Sequence, residues 1–391
     1  MEIFYKTHKY LVEHLDKGVR RLLMDEIDWN DRLIGIKGTR GVGKTTFLLQ
    51  YAKEKFGADR SCLYINFNHF YFTKRSLVDF ADEFYKHGGK TLLIDQAFKY
   101  ENWSKELLTC YERFPELKIV FTSSPVMRLR DENDDLRDII KVYNLRGFSF
   151  REFLNVQAGV DLQAYTLSEI LENHVAIAEE ICAKLKPLAY FQDYLHHGFY
   201  PFYLEKRNYS ENLLKTMNMM LEVDILLIKQ IDITYLSKIR KLLYLLALKT
   251  PCTPNVSRYS KEIDTSRATV MNYIKYLQNA RLFNLLYPQD EEFPKKPDKI
   301  YMHNTNLMYV VAPNIESDDV CKTFFYNIVH TRHKINSPLS TDADFMLDKN
   351  VALQFKIGEN AGNNPDIYYA VHKTEIGEGN KIPLWLFGFL Y

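Results

Sequence analysis

Short apolar runs alternate with amphipathic stretches over the first third of the chain. Arg32–Lys37, Cys62–Phe67, Thr91–Ile94, Lys118–Phe121 and Val142–Leu145 are brief and mainly apolar, the pattern of strands buried on both faces. Between them, apolar residues recur at helical spacing. This alternation predicts an α/β architecture, a parallel sheet with helices on both sides. Ahead of the first strand, Leu11, Leu15, Val19, Leu22 and Leu23 predict a helix within residues 10–30.

From about Leu154 to Leu236 the strand pattern stops. Leu167, Ile170, Leu171, Ile177, Ile181, Leu185 and Leu188 predict helices, and a second helical run spans Leu213–Ile228. Residues 236–287 predict a compact three-helix unit, with helices at Leu242–Leu248, Val256–Ile263 and Ser266–Gln278. Ser266 reads as an N-cap, with Val270, Ile274 and Leu277 on one face, and Leu282–Tyr287 reads as a strand. After Pro313 the pattern changes to a helix followed by strands. The closing Ile382–Tyr391 is too short to span a bilayer and is predicted to be a buried final strand.

Composition narrows the class. The 391 residues include 51 Lys and Arg against 50 Asp and Glu, a net charge of +1, which excludes a uniformly basic nucleic-acid coat and an acidic disordered tail. A hydrophobic share of 46% is enough to build cores and excludes a mainly disordered chain. Five scattered cysteines without CxxC spacing argue against a disulfide framework or a zinc site. Met1–Lys6 lacks a signal-peptide pattern, and no apolar run approaches membrane-spanning length. The expectation is a soluble, cytoplasmic protein without a membrane partner.

The strongest chemical signal is Gly38-Thr39-Arg40-Gly41-Val42-Gly43-Lys44-Thr45-Thr46, a full G-x-x-x-x-G-K-T between a predicted strand and a predicted helix. Glycines allow successive backbone N–H groups to curl around an anion, and the helix N-terminus adds partial positive charge. Lys44 is placed to reach the β- and γ-phosphates, and Thr45 to help hold Mg²⁺. Thr91-Leu92-Leu93-Ile94-Asp95-Gln96 then delivers Asp95 to a strand end, where a carboxylate can face the metal. Gln96 follows; its amide can hydrogen-bond a water but cannot take its proton. Lys118–Ser124 ends in hydroxyl residues, making Ser123 or Thr122 a candidate polar sensor.

These motifs, together with Lys99–Leu107, Leu117–Ser124, Tyr143–Leu154 and Gly379–Tyr391, resemble prokaryotic AAA-superfamily ATPases along nearly the whole chain. The resemblance implies a P-loop ATPase domain over 1–153, a helical lid over 154–235, a winged helix over 236–310 and a restriction-endonuclease-like α/β domain over 311–391. It also implies ATP as nucleotide and Mg²⁺ as metal, with Lys44, Thr45 and Asp95 in their usual roles. Two departures point toward slow turnover. Gln96 replaces the usual Glu, and Asp135–Ile140 lacks the expected Arg unless Arg137 substitutes.

The third helix of the 236–287 unit follows helix-turn-helix logic, presenting Arg267, Thr269, Asn272 and Lys275 toward the major groove of double-stranded DNA. Residues 236–300 hold 12 Lys and Arg against 6 Asp and Glu, which favours phosphate contacts. Packing against another protein or another part of the chain is the competing reading. In the last segment, Thr341–Leu347 followed by Val351–Lys356 resembles the D…(D/E)xK pattern of restriction-type nucleases. There Asp344 and an acid would hold Mg²⁺, and Lys356 would assist the attacking water. Gln354 replaces that acid, and Glu359 is a poor substitute, which predicts an inactive nuclease-like fold. Three functions follow: an ATP-dependent switch acting on DNA, a signalling or scaffold protein with a protein partner or a homo-oligomeric state, and an ATP-controlled nuclease.

Overall fold

The computed structural model describes residues 1–15, 18–57, 59–131, 133–312, 314–347, 353–359 and 362–391. They form two compact units, Met1–Gly147 and Phe148–Tyr391.

The first unit contains α1 (Glu2–Glu13), a single turn α2 (Leu23–Glu26), β1 (Leu33–Lys37), α3 (Lys44–Lys55), β2 (Cys62–Asn66), α4 (Leu77–Lys86), β3 (Thr91–Asp95), α5 (Trp103–Arg113), β4 (Lys118–Ser123) and β5 (Lys141–Asn144). The strands pair in parallel in the order β2-β3-β4-β1-β5. All five side chains of β3 are buried, as are Leu33, Ile34 and Ile36 of β1, matching the uninterrupted apolar runs. Each buried leucine and isoleucine among them contributes roughly 1.5–3 kcal/mol of transfer free energy. Helix α4 begins at Ser76, whose side chain accepts the Asp79 N–H, and buries Leu77, Phe80, Ala81 and Phe84.

The helix expected over 10–30 lies elsewhere: α1 ends at Glu13, and among the described residues up to 30 only the α2 turn follows. Its buried face is Phe4, His8 and Val12, an i, i+4, i+8 stripe. Phe4 packs among Tyr71, Phe72 and Phe80, with ring centroids 5.2, 5.9 and 5.1 Å away. This aromatic packing outweighs the leucine spacing further on.

The second unit opens with helices α6 (Phe150–Gln157), α7 (Leu167–Lys184), α8 (Pro187–Asp193) and α9 (Tyr209–Met219), the last running into π-helical turns at Met220–Leu227. Next come α10 (Leu236–Ala247), α11 (Val256–Glu262), α12 (Arg267–Asn279) and an antiparallel pair, β6 (Phe283–Leu286) with β7 (Lys299–Met302). Ser266 caps α12 by accepting the Thr269 N–H, and Val270, Ile274 and Leu277 are buried. Cys252 adds a backbone bridge to Ile300.

After α13 (Thr305–Val311), α14 (Ser317–Val329) lies against a mixed five-stranded sheet of order β12-β11-β10-β9-β8. Its strands are β8 (Ile335–Asn336), β9 (Phe345–Leu347), β10 (Leu353–Gly358), β11 (Ile367–Val371) and β12 (Lys381–Pro383). The pairs β8/β9 and β9/β10 are antiparallel, whereas β10/β11 and β11/β12 are parallel. Phe325 of α14 contacts Phe345, Phe355 and Phe387 at 5.6, 5.1 and 4.9 Å. The expected final strand is shorter than its apolar run: after Pro383 the chain coils into a 3₁₀ helix, Leu384–Phe389, burying Trp385, Phe387 and Phe389. An apolar run without alternation specifies burial but not strand geometry. The predicted strand start at Val351 lies outside the described residues.

Candidate functional site

Strands β1, β3 and β4 end together at one edge of the first sheet, where three loops supply polar groups. The loop after β1 turns through Gly41 and Gly43, at φ 81° and 89°. Gly43 is also the N-cap of α3, in left-handed backbone geometry that favours glycine. A Cβ on Gly38 would lie 2.6 Å from the Leu145 carbonyl oxygen, so the loop passes too close to β5 for any side chain there. Helix α3 has neither a side-chain cap nor an acidic residue in its first turn, leaving a helix N-terminus suited to an external anion. Lys44 Nζ donates to the carbonyl oxygens of Gly38 and Thr39 at 2.7 and 2.9 Å, spanning the loop.

Asp95, only 1% exposed, faces this loop from β3. Thr45 Oγ1 donates to Asp95 Oδ2 at 2.6 Å, bringing together the two residues expected to hold Mg²⁺. Four good donors surround the carboxylate. Thr45 and Tyr64 (3.0 Å) reach Oδ2, while Thr122 Oγ1 (2.5 Å) and the Gln96 N–H (3.1 Å) reach Oδ1. A carboxylate has about four lone-pair sites, so this one is fully used. Asn66 Nδ2 lies 3.5 Å from Oδ2, at the outer limit of a hydrogen bond. Gln96 has left-handed backbone angles, φ 59° and ψ 48°, and its N–H also donates to Thr122 Oγ1 at 2.9 Å. Such a conformation costs a non-glycine residue roughly 1–3 kcal/mol and persists only where surrounding bonds hold it.

Of the two sensor candidates, Thr122 reaches Asp95. Ser123 pairs with Lys37 in the neighbouring strand, and its buried Oγ has no hydrogen-bond partner among the described residues. Adjacent strand residues point to opposite faces, so only one could join this cluster. Arg137 pairs instead with Asp134 at 2.6 Å.

Three contributors escaped the motif reading. Tyr64 and Asn66 lie two apart on β2, a spacing that places them on one face beside the acid-bearing strand. Buried Arg21 donates to the carbonyls of Val42, Arg146 and Gly147 at 3.1, 2.6 and 3.0 Å, tying the phosphate loop to the exit of β5.

In the second unit, Arg267 and Asn272 are exposed on α12, while Thr269 and Lys275 are half-buried. Thr269 Oγ1 bonds the capping Ser266 at 2.9 Å, and Lys275 reaches Gln278 at 2.9 Å and lies over the Phe293 ring. Arg267 and Met271 line a cavity of about 660 Å³ with Lys296 from the β6–β7 loop.

Asp344 is buried and accepts the Ile357 N–H at 2.9 Å. Lys322 of α14 lies 3.2 Å from Oδ1, and Lys356 lies 3.8 Å from Oδ2. Gln354 accepts the Ser340 N–H at 3.1 Å, and Glu359 pairs with Lys373 at 2.5 Å. The Asp344 carboxylate is thus compensated from within the protein. Lys322→Met leaves it short of its nearest cation and should destabilise the fold by about 2 kcal/mol. An unchanged urea midpoint in that variant would refute this account.

The parallel sheet, the glycine loop and Asp95 at its edge define a P-loop NTPase domain. Residues 30–154 match a family described as an AAA domain, and residues 188–318 match a domain of unknown function, DUF8612. The uncharacterized protein MJ1637 of Methanocaldococcus jannaschii is 27% identical over 342 residues, covering 79% of this chain and 69% of its own length. Among solved structures, AMPPCP-bound DnaA from Aquifex aeolicus aligns with TM-score 0.27 and 16% identity over 71% of this chain and 87% of that one. The Aeropyrum pernix ORC1 protein in complex with DNA aligns with TM-score 0.29 and 9% identity over 79% and 91%. Superpositions this loose bear on neither fold nor site. Among the described residues, no helix is long and apolar enough to cross a membrane.

Proposed function

We propose that the chain is an ATP-binding switch of the AAA type, with weak hydrolysis and with double-stranded DNA as the target of its second unit. The observation that carries the nucleotide reading is the 2.6 Å contact between Thr45 and Asp95 at the mouth of the glycine loop. Those two residues suit Mg²⁺: a hydroxyl and a carboxylate are hard oxygen donors, and they already converge. When bound, Mg²⁺ would neutralise phosphate charge. The chain's own part is to enclose the β-phosphate with loop N–H groups and to bring Lys44 to the γ-phosphate. Gln96 can orient a water beside Asp95 but cannot deprotonate it.

The DNA reading rests on the excess of 12 basic over 6 acidic residues in 236–300 and on the exposure of Arg267 and Asn272 along α12. Within this proposal, 154–235 is a helical lid segment, 236–310 a winged helix and 311–391 a nuclease-like domain. Lys322 beside Asp344 favours the inactive form of that last domain over the nuclease alternative. A homo-oligomeric or protein-partner role gains no comparable observation.

Calorimetry with ATP, with and without Mg²⁺, tests the first part, and absence of binding would remove it. Electrophoretic shifts across a salt series test the second. Arg267→Ala combined with Lys275→Ala should weaken duplex binding and reduce the salt slope by about 1–2. A slope identical to wild type would exclude α12 as the phosphate-contacting element.

A further inference from the structure

The hydrogen-bond pattern at Asp95 has a directional consequence. Thr122 Oγ1 and the Gln96 N–H take up Oδ1, while Tyr64 and Thr45 share Oδ2. A threonine hydroxyl has two lone pairs besides its proton, so Thr45 can turn a lone pair toward a metal while still donating to Oδ2, and the set of the Asp95 carboxylate then orients that hydroxyl. We infer that Tyr64 is a positioning residue for the metal face of the nucleotide site, its phenol fixing the Asp95 carboxylate that in turn orients the Thr45 hydroxyl toward Mg²⁺. This inference rests on the ATP-binding reading above.

Tyr64 is itself firmly placed. It is 5% exposed on β2, at the edge of the sheet, and its backbone N–H donates to His8 Nδ1 of α1 at 3.0 Å. That bond requires the His8 tautomer with its proton on Nε2, and burial lowers the pKa of the imidazole, favouring the neutral form that can accept. The Tyr64 phenol donates to Asp95 Oδ2 at 3.0 Å. Helix α1 is anchored in turn by the Phe4 aromatic cluster. The tyrosine therefore stands between a packed helix and the site carboxylate.

Hydrogen-bond partners of metal-facing carboxylates typically set metal affinity within a factor of 10–100. Mg²⁺ demands near-ideal octahedral geometry, whereas Ca²⁺ tolerates irregular arrangements. Tyr64→Phe removes the O–H and keeps the ring, so the packing of β2 is preserved. The experiment is equilibrium binding of AMPPCP to the full chain in EDTA, in Mg²⁺ and in Ca²⁺. Tyr64→Phe should leave affinity in EDTA unchanged, reduce the Mg²⁺-dependent tightening about tenfold and reduce the Ca²⁺-dependent tightening less. An equal loss with and without metal, or no loss, would overturn the inference, because a packing role does not discriminate between ions. The same substitution in an Asp95→Asn background should cause no further metal-dependent loss. A full tenfold loss there would show that Tyr64 does not act through Asp95. Failure of the wild-type chain to bind AMPPCP under all three conditions would overturn the nucleotide reading and this inference with it.

Discussion

Lys44→Ala is expected to abolish ATP binding, lowering affinity by at least about 100-fold in calorimetry. Lys44 Nζ bonds the carbonyl oxygens of Gly38 and Thr39, crossing the space enclosed by the glycine loop, which places the ammonium where the outer phosphates of a nucleotide arrive. A charge-assisted contact from ammonium to phosphate is about twice as strong as a neutral hydrogen bond, and alanine retains none of it. The fold should survive, because Lys44 begins α3 at a turn already set by Gly43, and alanine favours helix. Wild-type affinity in a folded Lys44→Ala variant would overturn the phosphate-loop assignment.

Gln96→Glu should raise ATP turnover by at least about tenfold, measured as phosphate release at saturating ATP. General-base assistance typically contributes 10²–10⁴-fold, and a glutamate at this position can accept a proton that an amide cannot. Its backbone is held in place by the N–H bonds to Thr122 and Asp95, which the substitution leaves intact. The new charge stands next to Asp95, and repulsion between the two carboxylates offsets part of the gain. Unchanged turnover with intact ATP binding would show that another group activates water.

Both predictions rest on residues visible in the sequence, and the reason is local. A phosphate loop is a contiguous device: glycines, lysine and threonine act through backbone angles and spacing that neighbouring residues specify. The same holds for the parallel strands, whose unbroken apolar runs reflect burial on both faces, and for Ser266, which caps α12 by accepting the N–H three residues on. Patterns that ignore tertiary competition fared less well. Leucine spacing within 10–30 placed a helix beyond Glu13, whereas Phe4, His8 and Val12 carry the helix that packs. The closing apolar run was correctly read as buried, but its 3₁₀ coil was not legible from hydrophobicity.

The sequence by itself determined the phosphate loop, the acid-bearing strand, the parallel α/β core and the basic stretch over 236–300, because each is written in neighbouring residues. Only the tertiary structure decided which distant groups meet. It put the Thr122 hydroxyl on Asp95 through strand parity, brought Tyr64 and Asn66 across from β2 to Asp95, and set Lys322 against Asp344. Those contacts depend on sheet order and register, and a side chain's place in a sheet is fixed by pairings between segments far apart in the chain.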